Sequence, residues 1–125
     1  MQHKILVVDD DRINTALVKF SLAERRYLVI TASDGLEAVE KIKNEKPDLI
    51  VLDVHMPRMN GYEFMAELKE IEGMEHLPVI MLTANETMED VFTIEGVRGY
   101  FVKPVDLPLL IAKITECLGP NPVDD

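Results

Sequence analysis

Five polar side chains in this sequence could together carry out phosphoryl chemistry. Asp9 and Asp10 follow the apolar run KILVV, and Asp53 follows LIVL. Thr83 ends the run that starts VIML, and Lys103 ends the one that starts GYFV. Clustered carboxylates repel one another unless a cation lies among them, and oxygen-only ligands suit Mg²⁺ or Mn²⁺ better than Zn²⁺. An ammonium and a hydroxyl would stabilise a transferring phosphoryl group, with Asp53 as the nucleophile that accepts it as an acyl phosphate.

These side chains can meet only if the apolar runs before them are parallel strands of one sheet. The runs are residues 4–8, 27–31, 49–52, 79–82 and 99–102. Each is rich in Val, Ile and Leu and does not alternate with polar residues, as expected of strands buried on both faces. Five helical patterns alternate with them, which predicts an α/β fold. We expect a five-stranded parallel sheet in the order 2-1-3-4-5, flavodoxin-like and doubly wound, whose ligands bind beyond strands 1 and 3.

The helical patterns are recognised by apolar side chains spaced three or four residues apart. These are Ile13, Leu17 and Phe20; Leu36, Val39 and Ile42; Tyr62, Met65 and Leu68; and Leu107, Leu110, Ile111, Ile114 and Leu118. Helix starts pair a cap residue with an acid three positions later, at Asp34 and Glu37, Asn60 and Glu63, and Thr87 and Asp90. The fourth helix, residues 87–95, is short and has the least regular apolar spacing.

The composition is that of one acidic globular domain. The 125 residues include 13 Lys or Arg and 23 Asp or Glu, a net charge of −10. That charge disfavours nucleic acid as a partner, because phosphate binding depends on Lys and Arg. The single cysteine, Cys117, excludes an intrachain disulfide, and the N-terminal segment is too short and acidic for a signal peptide or membrane anchor. We expect a cytoplasmic protein without membrane insertion, with a domain over 1–119 and a short tail over 120–125.

Four blocks of the sequence resemble the receiver domain of bacterial two-component response regulators. In chain order they are ILVVDDDRIN, LIVLDVHMPRMNGYEF, PVIMLTAN and GYFVKPVD, and DVHMPRMNG is the most specific element. The resemblance spans nearly the whole chain. It implies that Asp53 is the phosphorylated aspartate and that Asp9 and Asp10 are the acidic pair holding Mg²⁺. Asp10 and Asp53 would be direct ligands, completed by the backbone carbonyl of His55.

The same resemblance implies roles for the remaining site residues and for the whole chain. Thr83 and Lys103 would bind the phosphoryl oxygens, the Lys103-Pro104 bond would be cis, and Thr83 and Tyr100 would form the switch that alters the face of helix 4, strand 5 and helix 5. The chain would be a single-domain response regulator, or an equally similar piece of a longer one, that receives its phosphoryl group from a histidine kinase or histidine phosphotransfer protein. It would control an unidentified downstream protein, as a monomer or a phosphorylation-dependent dimer. It would not be a turnover enzyme, because it would catalyse only its own phosphorylation and dephosphorylation.

Two other functions fit parts of the pattern. A phosphatase of the haloacid-dehalogenase type also uses an aspartate, a threonine, a lysine and Mg²⁺, and Asp9-Asp10-Asp11 matches its Asp-x-Asp opening. It would leave Asp53 without a role, and only Asp106 stands where that family needs an acidic pair. A receiver-like interaction module that is never phosphorylated is the second alternative. Asp10 and Asp11 could also simply cap helix 1, and we expect Asp11 to do only that.

Overall fold

A computed structural model describes residues 2–56, 58–84 and 96–122. Within these ranges the chain forms five strands and four helices. They are β1 (Lys4–Val8), α1 (Arg12–Glu24), β2 (Leu28–Ala32), α2 (Gly35–Glu45), β3 (Leu49–Asp53), α3 (Gly61–Lys69), β4 (Val79–Thr83), β5 (Val97–Val102) and α4 (Leu107–Leu118). The helix predicted over 87–95 lies outside the described residues, so α4 is the helix that the sequence analysis counted as the fifth.

The five strands form one parallel sheet in the order β2-β1-β3-β4-β5. This confirms the predicted fold class and strand order. The three central strands, β1, β3 and β4, are almost wholly buried, as their uninterrupted apolar runs predicted. β2 lies one residue later than predicted, and β5 begins two residues earlier. The winding reverses between β1 and β3, so the carboxyl ends of these strands open into the crevice where such sheets bind ligands.

Apolar layers cover both faces of the sheet and hold its carboxyl edge in place. In β1, Leu6 and Val8 belong to the layer packed by α2 and α3, whereas Ile5 and Val7 belong to the layer packed by α1 and α4. This alternation follows from the two-residue period of a strand. None of the helices within the described ranges is long and apolar enough to cross a lipid bilayer.

The core-facing side of α1 is not the apolar stripe that the sequence analysis selected. Ile13, Leu17 and Phe20 are 76%, 55% and 68% exposed, whereas Val18 and Leu22 are fully buried. The helix carries two apolar stripes, and periodicity alone cannot tell which of them faces the sheet. The apolar stripe that we predicted to face the core therefore faces solvent.

The start of α1 shows how its orientation is set. Asp11 caps the helix as predicted, its carboxylate accepting from the backbone N–H groups of Ile13 and Asn14 at 3.0 and 3.2 Å. The cap fixes the first turn close to the end of β1. Asn14, Val18 and Leu22 are spaced by four residues and therefore share the side of α1 that faces the sheet.

The stripes predicted for the other described helices are correct except at their first positions. Ile42 in α2 and Leu68 in α3 are buried, but Leu36 and Tyr62, the second residue of each helix, are exposed. In α4 the predicted face is confirmed, with its central residues buried and its ends partly buried. The central members of that face are Leu110, Ile111 and Ile114.

Gly35 and Gly61 begin their helices where a neighbouring segment of the chain passes close by. A Cβ on Gly61 would lie 2.9 Å from the Cα of Val54, and a Cβ on Gly35 would lie 2.8 Å from the Cβ, Cγ and Sδ of Met59. Neither the Cα of Val54 nor the Cβ of Met59 can move aside without a shift of the backbone. We expect Gly61→Ala and Gly35→Ala each to lower the free energy of unfolding by about 1–3 kcal/mol, measured by urea denaturation. An unchanged free energy of unfolding in either variant would contradict this prediction.

Candidate functional site

The predicted site residues meet at the carboxyl edge of the sheet. Asp9 and Asp10 follow β1, Asp53 ends β3, Thr83 ends β4 and Lys103 follows β5. Thr83 lies one residue beyond Leu82, the register partner of Asp53. Asp9, Asp53 and Thr83 are buried, while Asp10 is exposed at the rim. The crevice therefore combines buried polar groups with an opening to solvent.

Three carboxylates form a cluster of the kind that holds a cation. Asp9, Asp10 and Asp53 each offer one carboxylate oxygen, and these oxygens lie within 4.8 Å of one another. Mg²⁺ is bound in proteins by one or two carboxylates together with water and phosphate oxygens, so this spacing suits it. His55, the predicted backbone ligand, lies in the loop after β3, where its N–H donates to Asp53 Oδ1 at 3.0 Å.

Lys103 joins two of these carboxylates. Its Nζ lies 3.0 Å from Asp9 Oδ2 and 3.2 Å from Asp53 Oδ2. Burial disfavours the ammonium, but the hydrogen bonds and negative charges of Asp9 and Asp53 outweigh burial and raise the pKa of Lys103. The peptide bond to Pro104 is cis, as the resemblance implied, and the Lys103 N–H donates to the Thr83 carbonyl at 2.7 Å. Lys103 is therefore a protonated cation at a fixed place in the site.

The ionised site lacks positive charge. Burial raises the pKa of Asp53 to about 6, because the His55 N–H and the Lys103 charge do not offset burial and repulsion from Asp9. A bound divalent cation would supply the missing charge between the carboxylates. The residues present thus fit Mg²⁺ in both donor type and charge.

Asp9 has partners that the sequence analysis did not identify. Asp9 Oδ1 accepts from the backbone N–H of Asp11 at 2.9 Å, and Asp9 Oδ2 accepts from the amide Nδ2 of Asn14 at 2.6 Å. The sequence shows only that Asn14 lies four residues before Val18, and this spacing indicates a contact with the sheet edge only once Val18 is known to face the sheet. Asp9 is therefore held by two groups from the start of α1 as well as by Lys103.

The loop between β3 and α3 is attached to the start of α2. The guanidinium of Arg58 donates to Asp34, the buried N-cap of α2, and this hydrogen bond, with one from an α2 backbone N–H, lowers the pKa of Asp34. Met59, the residue after Arg58, packs against Gly35, the residue after Asp34. These two contacts restrict the loop that also contains His55.

Tyr100, the predicted switch aromatic, lies in β5. Its side chain is partly buried against the apolar layer of α2 and α3. The resemblance implied an output surface formed by helix 4, strand 5 and helix 5, and the predicted helix 4 falls outside the described residues. The switching roles of Thr83 and Tyr100 remain predictions.

The sequence of the chain is similar to those of known proteins. Residues 5–115 match the family model described as the response regulator receiver domain. The chain is 45% identical over 106 residues to the alkaline phosphatase synthesis transcriptional regulatory protein PhoP of Bacillus subtilis, covering 83% of this chain and 43% of PhoP. It is 31% identical over 121 residues to the polar-differentiation response regulator DivK of Brucella anthropi, covering 95% of this chain and 98% of DivK. The chain spans about half the length of PhoP and of the mycobacterial response regulator MprA.

Solved structures share the fold along most of the chain. The chemotaxis response regulator CheY4 of Vibrio cholerae superposes with a TM-score of 0.87 at 31% identity, covering 94% of this chain and all of that one. The receiver domain of the sensor histidine kinase PA1611 of Pseudomonas aeruginosa superposes with a TM-score of 0.86 at 27% identity, covering 95% of this chain and 99% of that one. That structure has a magnesium ion coordinated in its active-site cleft.

Proposed function

Because this chain belongs to the response regulator receiver domain family, we propose that it accepts a phosphoryl group on Asp53 in a Mg²⁺-dependent reaction. One observation carries the proposal. Asp53 is a buried carboxylate with Lys103 Nζ 3.2 Å from Oδ2, in a cluster whose carboxylate oxygens lie within 4.8 Å of one another. Such an arrangement is suited to an incoming phosphoryl group once a divalent cation is bound.

The proposed metal ligands are the carboxylates of Asp10 and Asp53 and the backbone carbonyl of His55, with Asp9 completing the acidic pair. Bound Mg²⁺ would neutralise charge on the phosphoryl oxygens and orient them for in-line transfer, and Mn²⁺ has suitable ligand preferences as well. The magnesium ion in the PA1611 receiver supports this assignment. The raised pKa of Asp53 agrees with it, because burial and repulsion from Asp9 outweigh the charge of Lys103 at this carboxylate.

The transfer step follows from the chemistry of the side chains. A carboxylate oxygen of Asp53 attacks the phosphorus of a phosphohistidine, the O–P bond forms, the P–N bond breaks, and the imidazole nitrogen takes a proton from solvent. The Lys103 ammonium and the Thr83 hydroxyl bind the phosphoryl oxygens. Attack by water later releases inorganic phosphate and restores Asp53. The protein therefore acts as a switch and is not a turnover enzyme.

The proposed partners are a protein that donates the phosphoryl group and a downstream protein that responds to the phosphorylated chain. The donor is a histidine kinase or a histidine phosphotransfer protein. Movement of Thr83 toward the phosphoryl group and of Tyr100 inward would change the surface offered to a downstream protein. PhoP is a transcriptional regulatory protein and DivK a polar-differentiation regulator, so relatives of similar sequence serve different outputs. A cytoplasmic location is part of the proposal, because ATP-derived phosphohistidine is made there.

Acetyl phosphate, a small donor, tests the proposal without a known kinase. We expect incubation with acetyl phosphate and Mg²⁺ to add the mass of one phosphoryl group to the intact protein, and EDTA to prevent the addition. The rival phosphatase function predicts a different result, which is steady turnover of a small phosphoester, abolished by Asp9→Asn but not by Asp53→Asn. A protein that takes no adduct with Mg²⁺ would instead support the interaction module.

A further inference from the structure

Asn14 is a polar residue on the side of α1 that faces the sheet. It precedes Val18 and Leu22 by four and eight positions, which places the three side chains on one face of the helix. Val18 and Leu22 are fully buried in the apolar layer, and Asn14 is half-buried. Packing alone would favour an apolar side chain at this position. The contacts of the amide must therefore account for Asn14.

The amide completes the hydrogen bonding of one carboxylate oxygen. Asn14 Nδ2 donates to Asp9 Oδ2 at 2.6 Å, and Lys103 Nζ lies 3.0 Å from the same oxygen. Asp9 Oδ1 accepts from the backbone N–H of Asp11 at 2.9 Å. Each carboxylate oxygen has two acceptor positions. Oδ2 thus has both positions occupied, and Oδ1 keeps one for a cation.

Lys103 is shared between two carboxylates, and one of them is the proposed phosphoryl acceptor. Its Nζ lies 3.0 Å from Asp9 Oδ2 and 3.2 Å from Asp53 Oδ2. The side chain of Asp9 has no exposed surface, so solvent cannot readily replace Lys103 if Lys103 moves toward a phosphoryl group. A buried carboxylate that loses a donor is costly unless another donor remains. Asn14 is such a donor, on the same oxygen.

We propose that Asn14 is a positioning residue for phosphoryl transfer: its amide holds Asp9 Oδ2 in place and so releases Lys103 to contact the phosphoryl group on Asp53. This inference rests on the proposed function, because it assigns a further residue to that same reaction. Asn14 acts through Asp9 and touches neither the phosphoryl group nor the cation.

Asn14→Leu removes the amide while nearly keeping the size of the side chain. At saturating Mg²⁺ we expect its rate of phosphoryl incorporation from acetyl phosphate to fall roughly 10- to 100-fold, the effect of losing a hydrogen bond to a charged group. Mg²⁺ affinity, measured by calorimetry, should be retained because all three carboxylates remain. Asn14→Gln keeps an amide donor and should be faster than Asn14→Leu. Asn44→Leu, the same change at an exposed position of α2, is the matched control and should react at the wild-type rate.

Asn14→Ala removes the amide without adding bulk and favours the helix. We expect it to slow phosphoryl incorporation as Asn14→Leu does, while its Mg²⁺ affinity stays at the wild-type value. A purely structural role for Asn14 would not lower the rate at saturating Mg²⁺ in both variants and restore it in Asn14→Gln. This variant also decides the matter if Asn14→Leu does not fold.

The results separate this inference from the proposed function. Wild-type protein that takes no phosphoryl group from acetyl phosphate and Mg²⁺ would overturn both. Wild-type protein that is labelled, with Asn14→Leu or Asn14→Ala labelled equally fast, would overturn the role of Asn14 alone. So would an Asn14→Gln variant as slow as Asn14→Leu. Circular dichroism of each variant confirms that the compared proteins are folded.

Discussion

Replacing Asp53 by Asn is expected to abolish phosphoryl incorporation and to make the metal-free protein more stable at neutral pH. The first effect follows because the amide has no carboxylate oxygen to form the acyl phosphate. The second follows from burial, which with repulsion from Asp9 raises the pKa of Asp53 to about 6. An ionised Asp53 therefore destabilises the folded state, and an asparagine of the same shape removes that cost.

The pH dependence of this stability difference has a definite sign. Asp53 binds its proton more tightly when folded, with a pKa of about 6, than when unfolded, with a pKa of 3.8. The favourable contribution of the protonated group is complete below about pH 4 and is lost as the pH rises through 6. Asp53→Asn should thus match wild type near pH 4 and exceed it by about 2–3 kcal/mol at pH 7.

Urea denaturation at a series of pH values, in EDTA, measures this difference. Saturating Mg²⁺ should remove much of the advantage of Asp53→Asn, because the cation stabilises the wild-type carboxylate cluster selectively. A difference between the two proteins that does not change between pH 4 and pH 7 would show that Asp53 is not the group with the raised pKa.

Replacing Lys103 by Met is expected to slow phosphoryl incorporation and to destabilise the metal-free protein. Lys103 Nζ contacts Asp9 at 3.0 Å and Asp53 at 3.2 Å, so its loss leaves two buried carboxylates without their shared cation. We expect phosphoryl incorporation from acetyl phosphate to slow by about 10²–10³-fold, as when an enzyme loses one donor to a developing anion. In EDTA the free energy of unfolding should fall by about 3 kcal/mol. Protonation of Asp53 limits this loss, because it removes one of the two uncompensated charges.

Mg²⁺ should separate the loss of stability from the loss of phosphorylation rate in the Lys103→Met variant. Added Mg²⁺ should restore much of the lost stability, because it replaces the missing positive charge, but it should not restore the rate. Lys4→Met is the matched control, since Lys4 pairs with Glu45 at 3.5 Å on the surface and should change stability by less than about 1 kcal/mol. Lys103→Met labelled at the wild-type rate would contradict the role of Lys103.

The sheet and the convergence of the site could be predicted because they depend on local signals. Each central strand is an uninterrupted apolar run, and the side chain at its end is polar. In a parallel sheet those ends lie at one edge whatever the details of packing. That is why Asp9, Asp53 and Lys103 were expected together and are found within hydrogen-bonding distance.

Other features depend on tertiary contacts that leave little trace in the sequence. The orientation of α1 is one, because Ile13, Leu17 and Phe20 are as periodic as the buried side of the helix but face solvent. The contact between Asn14 and Asp9 is another, since it requires that same orientation. Neither could be read from apolar spacing, which gives the period of a helix but does not show which of two apolar stripes is buried.

The contact between Arg58 and Asp34 illustrates a third limit. The two residues are 24 positions apart, and nothing in the spacing of either one predicts the other. The sequence indicated Asp34 as the cap of α2, which the structure confirms, but not as the residue that binds the loop after β3. Long-range pairs of polar side chains are set by the fold as a whole and become visible only in the structure.

Reductive trapping tests most directly the claim that Asp53 is the phosphoryl acceptor. Borohydride converts an aspartyl phosphate to homoserine, which peptide mass spectrometry can locate after labelling with acetyl phosphate and Mg²⁺. We expect homoserine at position 53 in the wild-type protein and in Asp11→Asn, which keeps a capping side chain, and none in Asp53→Asn. Homoserine at another aspartate, or a phosphoryl adduct that survives Asp53→Asn, would show that Asp53 is not the acceptor.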